Sequence, residues 1–282
     1  MSPEVHAEHG STGAESSADP LAWREDELDG LHQREDKASK VRRMFAAIAG
    51  SYDLNNRLHS LWRDQAWRRF AVRAAEARAG DRVLDAACGT GDLTQAFART
   101  RASAVVGLDF TAEMLTLARA KRDALPDEIA GKIEYVQGDA MSLPFEDAAF
   151  DIVSIAFGIR NVQRPEAAVA EFARVLRPGG RLVVLEFDRP RSRIVRSVND
   201  FYSGWLMPRT ATAIARDRSG AYRYLPKSVG SFMSREEMMA LLERSGFDGV
   251  SARGLTLGIC ACYRGCRAPG SSSGSLSPRA GE

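Results

Sequence analysis

Two rhythms of apolar and polar positions alternate along this chain. Short apolar runs stand at 83–84, 104–108, 133–136, 151–157 and 181–187, and each reads as a buried strand. Between them the apolar positions move to helical spacing. Leu93, Ala96 and Phe97 share one face, as do Met114, Leu117 and Ala118, and Pro165 opens a helix carrying Ala168, Val169, Phe172, Val175 and Leu176 inward. The run at 181–187 holds four consecutive apolar residues, Leu182 to Leu185, as suits a strand covered on both faces. Ser234 and Glu237 form a capping box ahead of Met238, Met239, Leu241 and Leu242, and Gly246 ends that helix. Residues 249–253 and 255–263 are a last pair of strands, close enough to run antiparallel. Together these elements predict an α/β fold, doubly wound, with a mostly parallel sheet.

The flanks follow other patterns. Residues 1–36 are rich in Glu, Asp, Ser and Gly, which predicts a disordered extension. Residues 37–80 precede the first strand and form a helical cap. Within it Val41, Met44, Phe45 and Ile48 keep helical spacing, 51–58 is a polar loop holding Tyr52, and 61–77 is a helix whose Trp62 and Trp67 belong to core packing. Residues 190–230 break the strand–helix alternation with Tyr202, Trp205, Tyr222 and Tyr224, and are expected to roof a substrate site. The domain proper spans 37–265, and 266–282 is a disordered tail rich in Gly, Ser and Pro.

The candidate chemistry gathers at the carboxyl ends of the strands. After the first strand comes Asp85-Ala86-Ala87-Cys88-Gly89-Thr90-Gly91. Two glycines there let the backbone turn tightly against a ligand. The third glycine of a dinucleotide fingerprint is replaced by Thr94, and Asp85 inside the turn repels a pyrophosphate but attracts a sulfonium. This favours S-adenosylmethionine over NAD. Asp109 ends the second strand, about 20 residues on, where a ribose-binding carboxylate belongs. Asp139 and Ala140 follow the third strand and suit an adenine ring. Gly158-Ile159-Arg160-Asn161 follows the fourth, with a cation and an amide facing the same mouth.

Composition narrows the function classes. The chain has 282 residues, 44% apolar and 27% charged, which suits a soluble protein with a sizeable core. Lys and Arg number 39 against 37 acids, so nothing points to nucleic acid. No apolar run approaches the roughly 20 residues of a membrane span, and a signal-peptide core is missing. Cys88, Cys260, Cys262 and Cys266 form no disulfide framework, so a cytoplasmic setting is expected. The last three lack paired metal-ligand spacing, so no metal is expected, and Cys260 and Cys262 read as strand or core residues.

Several local sequences are more specific: Tyr52-Asp53-x-x-Asn56, Leu143-Pro144-Phe145, Phe157-Gly158-x-Arg160-Asn161, 174–180, Leu185-Glu186-Phe187 and Tyr222-Arg223-Tyr224-Leu225. With the glycine turn they make residues 40–265 resemble the C-methyltransferases of menaquinone and ubiquinone biosynthesis, within the class I methyltransferases. The resemblance implies a seven-stranded Rossmann-like sheet and methyl transfer from S-adenosylmethionine to a ring carbon of a prenylated quinol. Demethylmenaquinol is the first expectation and a methoxy-benzoquinol the alternative. It implies that Asp85, Gly89, Thr90, Gly91, Asp109, Asp139 and Ala140 bind the cofactor, and that Arg160, Asn161 and Tyr52 act on the acceptor. It also allows a homodimer and a peripheral contact with a membrane surface, through Val41 to Ile48 or the 190–230 segment. Other small-molecule acceptors and a silent assembly protein are the competing readings.

Overall fold

The computed structural model describes residues 23, 28, 30–202 and 221–269. A seven-stranded sheet runs in the order β3-β2-β1-β4-β5-β7-β6. Its strands are β1 (Arg82–Ala86), β2 (Ala104–Asp109), β3 (Ile133–Gln137), β4 (Phe150–Ala156), β5 (Leu176–Phe187), β6 (Phe247–Leu255) and β7 (Cys260–Arg267). The first five are parallel, and β7 runs antiparallel to both β5 and β6. Strand order reverses between β1 and β4, so a crevice opens at their carboxyl ends. The helices, in chain order, are α1 (Lys37–His59), α2 (Arg63–Ala74), α3 (Asp92–Ala98), α4 (Ala112–Asp123), α5 (Asp127–Ala130), α6 (Pro165–Val175), α7 (Arg193–Phe201), α8 (Ala221–Gly230) and α9 (Arg235–Arg244).

Period-two alternation distributes the core over both faces of the sheet. Val83, Val105 and Ile152 pack on one face with Phe97 and Leu115, while Leu84, Val106 and Val153 pack on the other with Phe172 and Leu242. Pro165 sits at the first turn of α6, and the Ser234–Glu237 capping box is fully formed. Cys260 and Cys262 are buried in β7, as their spacing predicts. Among the described residues, no helix is long and apolar enough to cross a membrane.

The structure departs from the sequence expectations mainly at the flanks. The polar stretch 51–58 is no loop but the second half of α1. Its Ser, Asp and Asn residues disfavour helix interiors, yet Asn55 donates to the Ser51 carbonyl and Asp53 accepts from Thr90, so tertiary contacts override propensity. Trp62 is not core: it adopts a left-handed backbone (φ 61°) between α1 and α2 and is 62% exposed. Order also begins before residue 37, because Trp23, Leu28 and Leu31 are buried against Val41, Met44, Ile48 and Tyr224. At the other end Cys266 and Arg267 belong to β7 rather than to a tail. Thr111 caps α4 by position only; the Asp109 carboxylate takes its backbone N–H. Residues 1–22, 24–27 and 29 of the expected extension, 270–282 of the expected tail, and Trp205 lie outside the described residues.

Candidate active site

The crevice at the carboxyl ends of β1, β2 and β3 holds a narrow cavity lined by Gly89, Asp109, Phe110, Met114, Asp139 and Ala140, and closed from above by Val41, Phe45 and Tyr52 of α1. Gly89 has φ 56°, and a β-carbon there would meet nothing within 4 Å, so its backbone edges open space. Its N–H donates to Asp109 Oδ2 at 2.8 Å, and the Thr111 N–H donates to Oδ1 at 2.8 Å. Each carboxylate oxygen keeps a lone pair for a further donor. Burial pushes the Asp109 carboxyl up, while those two N–H groups oppose the shift. Asp139 Oδ1 accepts from the Met141 N–H at 2.8 Å, which folds 139–142 into a tight turn beside Ala140. Vicinal hydroxyls against Asp109 and a flat ring beside Ala140 and Met141 suit this donor set. The cavity measures about 100 Å³, below the ~300–1,000 Å³ of ligand clefts.

Three of the expected cofactor residues do not line this cavity. Asp85 is buried one layer below the turn, where Thr94 Oγ1 donates to Oδ2 at 2.6 Å and Ser154 Oγ to Oδ1 at 3.0 Å. Burial pushes its carboxyl up to about 6. Gly91 is required for packing: a β-carbon would stand 2.1 Å from the Tyr135 hydroxyl. Thr90 turns away towards α1, where its hydroxyl donates to Asp53 Oδ1 at 2.6 Å. Lys121 of α4 completes a polar clasp by pairing with both Asp53 and Asp92. Arg57 approaches Asp92 at 3.6 Å and Gln65 donates to it at 2.9 Å. This clasp fastens the cap helix over the glycine turn, and sequence reading misses it because its members lie 27 or more residues apart.

A second, larger cavity of about 740 Å³ lies beyond Tyr52. α1, α2, α7 and α8 wall it, and Phe45, Tyr52 and Phe157 belong to both cavities. Arg160 stands in its wall. A one-turn helix over Ile159–Asn161 turns it back against the sheet, where Nη1 donates to Glu186 Oε1 at 2.6 Å and to the Phe157 carbonyl at 2.7 Å. It is 5% exposed, so this is a buried ion pair, not a surface one. Its Nε finds no acceptor among the described residues. Asn161 Nδ2 donates to the same Phe157 carbonyl at 3.2 Å, and Asn161 Oδ1 accepts from the Tyr224 hydroxyl at 3.0 Å. Phe157 itself holds a positive φ of 58°, a conformation that costs energy and is found where a site demands it. His59, expected only as part of the cap, also lines this cavity, and the Tyr202 hydroxyl donates to its carbonyl at 2.9 Å. Burial lowers the pKa of that imidazole.

The model of the ubiE/COQ5 methyltransferase family matches residues 33–267. The chain belongs to that family. It is 43% identical over 233 residues to the ubiquinone/menaquinone biosynthesis C-methyltransferase UbiE of Stutzerimonas stutzeri (strain A1501), covering 82% of this chain and 90% of that protein. The same-named protein of Pseudomonas aeruginosa (strain LESB58) is 42% identical over the same shares. Among solved structures, a SAM-dependent methyltransferase from Thermotoga maritima superposes with a TM-score of 0.56 at 20% identity, over 80% of this chain and 99% of that one. The [4+2]-cyclase SpnF superposes at 0.55 and 17% identity, over 73% of this chain and 81% of that one. Those two show the class I methyltransferase fold, and the second shows that one fold hosts different reactions. As a member of the ubiE/COQ5 family, the chain is a methyltransferase.

Proposed function

We propose that this chain moves the methyl group of S-adenosylmethionine to a ring carbon of a prenylated hydroquinone, with demethylmenaquinol as the acceptor. The observation that carries this reading is the shared wall of the two cavities. A nucleoside held by Asp109 and Ala140 directs its far end past Gly89 towards Tyr52 and Phe157, and the larger, mostly apolar cavity begins there. Its size and lining suit a ring with the first part of a prenyl chain. The names of the relatives support the same acceptor class.

S-adenosylmethionine supplies an electrophilic methyl group, so the protein has to make the acceptor carbon nucleophilic and hold it in line. Arg160 serves the first need: its guanidinium, in the wall of the larger cavity, stabilises the oxygen of a quinol that is losing its proton. A guanidinium stays charged at any working pH and is not itself the base. Asn161 lines the smaller cavity rather than the larger one, and its amide, bonded to the Phe157 carbonyl and the Tyr224 hydroxyl, braces the junction that Tyr52 closes. The apolar walls exclude water, which strengthens these contacts. Incubating the protein with labelled cofactor and either demethylmenaquinol or 2-polyprenyl-6-methoxy-1,4-benzoquinol tests the proposal. Label on the ring carbon of demethylmenaquinol is expected; label on oxygen or nitrogen acceptors alone overturns it.

A prenylated acceptor resides in a bilayer, and the same cavity indicates how it is reached. Leu61, Trp62, Ile194, Val198, Phe201 and Leu257 are large apolar side chains at least 62% exposed. They stand on three segments that frame the cavity mouth, and α7 adds Arg193 and Arg196. Apolar side chains flanked by arginines match an anionic membrane surface. The stretch from Val41 to Ile48, the other contact expected from sequence, is unsuitable because Val41, Met44 and Ile48 are buried.

A further inference from the structure

Residues ahead of α1 reach the acceptor site through a chain of contacts. Trp23 is 1% exposed and stacks on Tyr224, with ring centroids 4.9 Å apart and planes 29° apart. Tyr224, equally buried, donates its hydroxyl to Asn161 Oδ1. Asn161 Nδ2 and Arg160 Nη1 then share the Phe157 carbonyl. Leu28 and Leu31 join the same cluster, which backs Phe45 and Tyr52.

A second set of bonds fixes the following residues to the loop after Asn161. Lys37 Nζ donates to the Val162 carbonyl at 2.6 Å and meets His32 Nδ1 at 3.2 Å, while His32 Nε2 meets the Ser228 carbonyl of α8 at 3.1 Å. Gln163 Nε2 donates to the Arg34 carbonyl at 2.6 Å, and its Oε1 accepts from the Ala38 N–H at 3.0 Å. Trp23, Leu28, Leu31 and His32 lie outside the stretch that the family model matches, which begins at residue 33.

We infer that Trp23, Leu28 and residues 30–36 form a strap that positions the acceptor site, and that Trp23 is a positioning residue acting through Tyr224 on Asn161. The inference rests on the role given above to Asn161. A tyrosine ring held on one side by an indole cannot swing, so its hydroxyl keeps one direction. That direction selects the rotamer in which the Asn161 amide bonds the Phe157 carbonyl, which also holds Arg160 in the wall of the larger cavity. Without the indole, Tyr224 gains rotational freedom and Asn161 loses its orientation, while the cofactor contacts at Asp109 and Gly89 are untouched.

Trp23→Ala, Trp23→Phe, Tyr224→Phe and the double variant Trp23→Ala/Tyr224→Phe in the full chain test this. Each is assayed well below its melting temperature. Trp23→Ala and Tyr224→Phe are each expected to lower kcat about tenfold, the scale of one lost hydrogen bond, with the dissociation constant for S-adenosylmethionine unchanged. The double variant is expected to be no worse than Tyr224→Phe, because both act through one bond, and Trp23→Phe is expected to recover most of the rate. Multiplying losses in the double variant, or a lowered melting temperature with wild-type kcat, overturns the inference. The side-chain amide NMR signal of Asn161, assigned with Asn161→Asp, gives a readout independent of acceptor chemistry. It should shift in Trp23→Ala; an unmoved signal overturns the strap even if the acceptor proves to be a different molecule.

Discussion

The Asp109 carboxylate is held by the Gly89 and Thr111 N–H groups at the tip of β2, and on the proposed reading it accepts from the ribose hydroxyls. Asp109→Ala is expected to weaken S-adenosylmethionine binding by about 1–3 kcal/mol, read by calorimetry. Arg160 and Glu186 form a buried pair in which Arg160 lines the larger cavity, so on the proposed reading the pair serves both stability and turnover. Arg160→Ala strands Glu186 and is expected to cost about 3–5 kcal/mol of stability, with turnover down at least about a hundredfold. Replacing both, Arg160→Met with Glu186→Leu, should restore the stability in urea titrations and leave turnover lost. Recovery of turnover in that pair shows that the guanidinium is structural only. Asp85 gives a pH signature. Burial raises its carboxyl from 3.8 to about 6, so across that window the native protein keeps a proton that the unfolded chain has released. Stability contributed at this site is full below pH 3.8, falls as pH rises to about 6, and then stays level. Asp85→Asn should remove that slope from a series of urea titrations.

The strap and cap depend on pairings that act between elements. His32 is held down to about 4, chiefly by burial and then by the Lys37 ammonium. The unfolded chain takes up a proton near pH 6.5 that the folded strap excludes. The strap is therefore tightest above pH 6.5 and loosens progressively as pH falls towards 4. Limited proteolysis between pH 7 and 4.5 should show faster cleavage within 30–36 at the acid end, and a His32→Asn variant should lose the dependence. Equal cleavage rates across that range count against it. The strands and the glycine turn were legible because alternation and turn chemistry are local. Asp109, Asp139 and Arg160 were legible as strand-tip residues for the same reason. The pairs that decide what those tips do were not: Arg160 with Glu186, Asp53 with Thr90 and Tyr224 with Asn161 lie 26, 37 and 63 residues apart. The sheet order brings the first pair together, and the packing of helices over the strand tips brings the other two. The disorder expected for 1–36 rested on average composition, which the isolated apolar residues Trp23, Leu28 and Leu31 barely alter.

At the scale of the whole molecule, the exposed apolar residues near the larger cavity are the proposed contact with a bilayer. Val198→Asp with Phe201→Asp is expected to abolish flotation with anionic liposomes and to leave methylation of a short-chain, detergent-dispersed quinol near normal. Flotation that survives the change relocates the contact. α1 has a further consequence. It roofs the nucleoside cavity and walls the acceptor cavity, and it is clasped through Asp53, Lys121 and Asp92 to the glycine turn. On the proposed reading, one helix covers both the donor and the acceptor cavity, so a donor that enters or leaves beneath it disturbs the wall against which the quinol would rest. Ordered turnover is the expected outcome, with the methyl donor entering first and the spent nucleoside departing last. Steady-state kinetics record that sequence as product inhibition by the spent nucleoside that is competitive with the donor and non-competitive with the quinol.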